Sequence, residues 1–180
     1  VPLFEREDAH GELARAWRLI GFIHGVAGRY GDSTDAVTRA LDHARRAGDE
    51  RLVARSAMGL SISALLGPTP VPQAIEQCER ILAEKLGDRQ AESKTLCTLA
   101  QLRAMTGAFD EARTLVRRAR SLLADLGHNV AAASTAIDLL GVELLAGDLA
   151  AAEREARSDL EFLTAAGETY VLSAVAALLS

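Results

Sequence analysis

Apolar residues recur along this chain at steps of three and four. After Gly107 they fall at Phe109, Ala112, Val116, Ala119, Leu123 and Leu126, the stripe of an amphipathic helix and not the alternation of a strand. The opposite face of the same segment carries Asp110, Glu111, Arg113, Arg117, Arg118, Arg120 and Asp125. The same period runs through the whole sequence. It predicts helices over approximately 8–27, 33–47, 50–66, 71–86, 89–106, 109–126, 130–146 and 149–166, and a last one from 168 to the end.

Two ladders of glycine punctuate these stripes. Gly28, Gly67, Gly107 and Gly147 are 39, 40 and 40 residues apart, and Gly48, Gly87, Gly127 and Gly167 repeat those spacings. One period shared by two interleaved ladders means a two-helix repeat, each helix ending where glycine can adopt the left-handed conformation that closes it. Asp49, Asp88, and the pair His128 and Asn129 follow the second ladder and are read as N-caps for the next helix. Pro70 and Pro72 lie in the turn Gly67-Pro68-Thr69-Pro70-Val71-Pro72 and can open a helix. Gly31-Asp32-Ser33 reads as an insertion that lengthens the matching turn of the first hairpin. The expectation is one continuous solenoid domain over 1–180, with hairpins at about 8–47, 50–86, 89–126 and 130–166 and a partial one at 168–180. The half repeat and the opening Val1 suggest a piece of a longer chain.

A repeat of this length fits either a HEAT-like or a long tetratricopeptide hairpin, and the packing residues discriminate. Trp17, Ile20, Gly21, Gly28 and Tyr30 in the first hairpin, and Leu96, Leu99, Ala100, Gly107, Phe109, Ala112 and Ala119 in the third, resemble the tetratricopeptide pattern. The resemblance covers essentially the whole chain, although the period is longer than that family's and the proline that ends each of its units is missing. It implies an all-α, right-handed superhelix of antiparallel hairpins. The segments Leu13-Ala14-Arg15-Ala16-Trp17-Arg18-Leu19-Ile20-Gly21, Gly28-Arg29-Tyr30 and Gly107-Ala108-Phe109-Asp110-Glu111-Ala112 further resemble the C-terminal helical arm of large actinobacterial regulators. In those proteins adenylate or guanylate cyclase and AAA ATPase domains precede the repeats; similar arrays end some LuxR-type transcription factors.

Composition narrows the function classes. With 20 basic and 25 acidic residues the net charge is −5, which argues against a sequence-independent nucleic-acid surface or an anionic membrane surface. The aromatic fraction is 4%, too low for base-stacking platforms. Arg113, Arg117, Arg118 and Arg120 form the densest basic run, but Asp110, Glu111 and Asp125 flank it, so it reads as a solvated helix face. Apolar stretches such as Leu144 to Ala146 and Ser173 to Leu179 are far shorter than the roughly 20 residues of a membrane-spanning helix. Cys78 and Cys97 stand alone and read as buried small residues of a reducing, cytoplasmic protein. His10, His24, His43 and His128 are scattered, so no metal, cofactor or catalytic residue is assigned.

In a tetratricopeptide-like array the first helix of each hairpin lines the concave face. Alignment on Gly21, Leu60, Ala100 and Leu140 therefore projects Arg15, Arg18, Phe22, Val26, Ser61, Lys94, Gln101, Met105, Ile137 and Leu144 as groove residues. That surface suits a protein or peptide partner, or a neighbouring domain of the parent chain. The function implied is a non-catalytic interaction or regulatory scaffold; the alternative is a peptide or small-molecule sensor that binds in the groove. The apolar stripe Tyr170, Val171, Ala174, Val175, Leu178 and Leu179 on the terminal helix is expected to favour a homodimer.

Overall fold

The computed structural model describes residues 9–169 and 173, and among these every regular element is an α-helix. The helices are α1 (His10–Val26), α2 (Tyr30–Ala47), α3 (Glu50–Leu66), α4 (Val71–Ala83), α5 (Arg89–Met105), α6 (Phe109–Ala124), α7 (Asn129–Ser134), α8 (Ala136–Ala146) and α9 (Leu149–Ala165). The terminal helix expected from residue 168, with its dimerising stripe, lies outside the described residues. Contacts divide the chain into two compact units, Val1–Thr95 and Leu96–Ser180.

The repeated closure of these helices has one geometry. Glycines 28, 48, 87, 107, 127, 147 and 167 all have φ between 64° and 83°. At Gly48, Gly107 and Gly127 the helix end folds back on itself: Asp49 N–H donates to the Ala44 carbonyl at 3.2 Å, Ala108 N–H to Arg103 at 3.0 Å, and His128 N–H to Leu123 at 3.0 Å. This six-to-one bond is the Schellman closure, which satisfies carbonyls left free at a helix end. Gly67 departs from the ladder, with φ −99° and ψ −168°. A Cβ there would lie 2.5 Å from the Ser63 carbonyl oxygen, so this glycine serves a close backbone approach as the chain enters the proline turn.

The next helix starts almost at once. Asp49 accepts from Leu52 N–H at 3.0 Å, Asp88 from Ala91 N–H at 3.0 Å and Asp148 from Ala151 N–H at 2.9 Å. His128 precedes Asn129 at the start of α7 but makes no side-chain cap. Three boundaries differ from the sequence reading. Tyr30 opens α2, so Gly31-Asp32-Ser33 is helical rather than a lengthened turn. Helix α4 ends at Ala83, because Lys85 takes a left-handed φ of 49° before Gly87. The helix expected over 130–146 is split at Thr135, whose hydroxyl donates to the Ala132 carbonyl at 2.7 Å and accepts from Arg120 Nε at 3.0 Å. A hydroxyl that bonds back to its own turn weakens the ladder locally.

In the first unit, connections of two to four residues force α1, α2, α3 and α4 into successive antiparallel pairs. Their core joins Ala14, Leu41, Ala44, Leu52, Val53 and Ala57, with Leu60, Ile81 and Leu86 packed against it. Two glycines let three helices meet on one valine. A Cβ at Gly21 of α1 would lie 2.5 Å from Val37 Cγ2 of α2, and one at Gly59 of α3 would lie 3.3 Å from Val37 Cγ1. Beside this contact Ser33 Oγ donates to the Gly21 carbonyl at 2.9 Å and shares a hydrogen bond with Ser63 Oγ at 3.1 Å.

The second unit packs Ala100 and Ala104 of α5, Ala112 and Val116 of α6, and Leu139 and Val142 of α8 into one cluster. A second cluster joins Ala133 and Leu140 to Ala152, Ala156 and Leu163 of α9. The stretch Asn129–Ala146 is, by length and a mean hydropathy of 1.4, apolar enough to cross a membrane, which the sequence reading did not anticipate. Half of it is buried within the protein, as the core helix of a folded repeat would be.

The helix crossing predicts opposite outcomes for one substitution. Alanine normally favours a helix interior over glycine by about 1 kcal/mol. Gly141→Ala, where a Cβ meets nothing within 4 Å, should therefore stabilise by about 0.5–1 kcal/mol. Gly21→Ala drives a methyl into Val37 and should lose about 1–3 kcal/mol despite the propensity. Urea unfolding midpoints of the two variants check the sign of each, and Val37→Ala should suppress most of the Gly21→Ala penalty.

Candidate functional site

The small residues that let α1, α2 and α3 converge leave space above them. A cavity of about 400 Å³ opens there, floored by Gly21, Ser33, Val37, Gly59 and Ser63. Its walls are long side chains from the flanks of α1 and α3: Phe22 and Val26 on one side, and Met58, Ile62 and Leu66 on the other, with Tyr30 at the start of α2. Two cations, Arg18 of α1 and Arg55 of α3, complete the lining. Arg55 Nε is 3.7 Å from Asp88 Oδ2. Arg18 differs: its Nε is buried and has no hydrogen-bond partner.

Of the residues projected from sequence, Arg18, Phe22 and Val26 border this cavity. Arg15 does not; it pairs with Glu12 at 2.8 Å and approaches Asp49 at 3.7 Å. Ser61 is fully buried, its hydroxyl donating to the Met58 carbonyl at 2.7 Å, so it belongs to the core and not to the groove. Lys94 is exposed on α5. In the second unit Met105 and Leu144 are exposed and Ile137 packs against the α9 cluster. Gln101 Nε2 donates to Asp138 Oδ1, so its amide is committed to a buried carboxylate.

Sequence alignment missed Arg55, Met58, Ile62 and Leu66 for a geometric reason. A gap between neighbouring helices is lined by the flank of each that faces the other, and these flanks are not equivalent positions of the repeat. The usable signal was the pairing of Gly21 with Gly59, which marks where two first helices approach a common second helix.

Charged clusters elsewhere are absorbed in structure. Arg113 grips buried Glu143 with two bonds, Nε to Oε1 at 2.8 Å and Nη2 to Oε2 at 2.7 Å, and reaches Asp110 at 3.0 Å. Arg120 bonds Thr135 and lies 3.5 Å from Glu155. The run on α6, read from sequence as a solvated face, is thus partly spent on neighbouring helices. His24, 26% exposed, accepts from Arg29 Nε at 3.1 Å and has Asp32 3.7 Å away. Among the described residues no group of His, Cys, Asp and Glu is arranged to hold a metal ion.

No known sequence family and no curated protein matches the chain. Solved structures do. The crystal structure of the nearly identical TPR-like repeats of a Podosopora anserina protein described as a kinesin light chain superposes with a TM-score of 0.64. It is 14% identical, and the match covers 92% of this chain and 82% of that one. The fold is that of tetratricopeptide-like repeats. At this identity the likeness establishes the architecture and leaves the ligand to be argued from the residues themselves.

Cys78 is shielded from reaction. It is wholly buried; burial, helped by the Glu79 charge, pushes its thiol up to about 12. The fold therefore holds the neutral thiol. Its contribution to stability is complete below the unfolded value of about 8.5 and is lost as pH rises from there toward the folded value. Native protein should leave Cys78 unmodified by a thiol reagent at pH 8, with labelling only on unfolding. Cys78→Ala should flatten the fall in stability between about pH 9 and pH 12.

Proposed function

We propose that this chain is a non-catalytic scaffold for protein interaction or regulation within a larger cytoplasmic signalling protein. The observation that carries the reading is an uncovered apolar stripe on α1: Leu19, Phe22, Ile23 and Val26 are each more than half exposed, at 60%, 68%, 54% and 74%. Spacings of three, four and seven residues place them on one side of the helix, the pattern by which a helix presents anchors to a partner. Contiguous exposed apolar area of this kind is a mark of an interaction surface.

The resemblance of several segments to cyclase-linked and LuxR-type regulators supports a partner that is either another protein or a neighbouring domain of the parent chain. A net charge of −5 is unfavourable for direct nucleic-acid binding. Free, buried cysteines support a reducing compartment. The architecture needs no cofactor to account for it. A second reading, that of a ligand sensor, is favoured by the cavity beside the stripe.

Crosslinking and affinity capture with the full-length parent provide the test. The double variant Leu19→Glu, Ile23→Glu changes the stripe at two positions outside the cavity and should weaken capture of the specific partner by about tenfold or more. An unchanged partner set with a correctly folded variant, checked by circular dichroism, would overturn the reading. Light scattering of the same samples reports whether two copies associate.

A further inference from the structure

The cavity between α1 and α3 has a polar end and an apolar end. Two successive hairpin reversals leave α1 and α3 running in the same sense. Arg18 and Arg55 are the most N-terminal residues that α1 and α3 contribute to the lining, and therefore stand at one end of the cavity. Val26 and Leu66 close the other end near Tyr30. From Arg18 to Val26 is eight residues of helix, about 12 Å at 1.5 Å per residue.

The two cations are not equivalent. Arg55 has Asp88 beside it at 3.7 Å. Arg18 has no recorded ion pair or hydrogen bond among the described residues, and its Nε is already withdrawn from water. A buried guanidinium nitrogen without an acceptor costs free energy until an anion or carbonyl reaches it. Apart from Tyr30, which carries a hydroxyl, the remaining walls are apolar: Phe22, Val26, Met58, Ile62 and Leu66. The floor hydroxyls of Ser33 and Ser63 are already bonded to each other and to the Gly21 carbonyl. The volume of about 400 Å³ lies in the range of small-ligand pockets.

From this pairing we infer that the first unit binds a small amphipathic acid. Its single carboxylate sits on Arg18 with Arg55 alongside, and its linear or narrow apolar body lies over Gly21 and Gly59 toward Val26 and Leu66. A medium-chain fatty acid has this chemistry. The ligand is held by charge at one end and by displaced water at the other. A neutral chain of the same length satisfies only the apolar half, and a cationic one is repelled by Arg18. The inference goes beyond the scaffold reading: the cavity shares Phe22 and Val26 with the exposed stripe but not Leu19 and Ile23, so each reading can fail without the other.

Isothermal titration of the full chain with laurate below its micellar concentration tests it, with lauryl alcohol and laurylamine as controls. One laurate should bind per chain, about tenfold or more tighter than the alcohol, and the amine should not bind. Arg18→Met keeps the apolar stem and removes the charge; it should weaken laurate about tenfold while leaving the alcohol unchanged. Ile62→Trp fills the cavity and should abolish binding of both, with the thermal unfolding midpoint confirming a folded protein. Several loosely bound laurates insensitive to Arg18→Met would mean adsorption and overturn the inference. So would no binding to the full chain, or saturable binding of an acidic amphipathic peptide with none of laurate. If Arg18→Met unfolds, Ile62→Trp and the alcohol control still decide. Loss of laurate binding with partner capture intact would separate this site from the scaffold surface.

Discussion

The first unit depends on one contact: Val37 of α2 touched from both sides by backbone that carries no side chain, Gly21 of α1 and Gly59 of α3. Close approach is available only where the Cβ is absent, since a methyl at Gly21 would sit 2.5 Å from Val37 Cγ2. The same absence of side chains makes the floor of the cavity, so tight packing below and open space above have one cause. Ser33 and Ser63 extend the effect. Their short hydroxyls satisfy each other and the Gly21 carbonyl, which leaves the walls to longer residues.

The order of the helices was legible over most of the described chain because the signals were redundant, although the stretch expected as one helix over 130–146 is two. Apolar periodicity, left-handed glycines and aspartate caps coincide at Gly48-Asp49 and Gly147-Asp148; at Gly87-Asp88 the cap marks the start of α5 but not the end of α4. At Gly67 the boundaries held at Leu66 and Val71, although the glycine is not left-handed, because the three prolines after it impose an extended connection. Elsewhere boundaries moved. Lys85 ends α4 early in a left-handed conformation that periodicity cannot register, since L-residues enter it at a cost. The Thr135 break depends on Arg120, a residue from a different helix, and no local pattern contains that information.

The candidate site was legible on α1 and not on α3. Phe22 and Val26 announce themselves as large apolar residues on a helix face, whereas Ser61 and Met58 exchange roles on a rotation that the repeat alignment does not carry. Repeat arithmetic identifies equivalent positions, and a cavity is bounded by inequivalent ones. Charge shows the same limit. Arg18 looks like any other arginine in the sequence; its distinction is that its Nε is buried without a partner, while Arg113 and Arg120 have theirs supplied by α8 and α9.

Those partners also orient the apolar stretch Asn129–Ala146 within the second unit. Its composition alone is compatible with lipid, yet it places Asp138 and Glu143 in the interior at 5% and 4% exposure. A buried carboxylate is tolerated only with donors in place; Gln101 supplies one and Arg113 supplies two in a fork. Such pairs contribute little net stability, because desolvation offsets most of the attraction. Their effect is on register: α8 turned by one residue would strand Glu143 and free Arg113, whereas its alanines and leucines would accept several rotations almost equally well. A helix that is apolar on nearly every side thus acquires one orientation from its two polar residues, and α5 and α6, which hold them, are fixed against it by the same bonds.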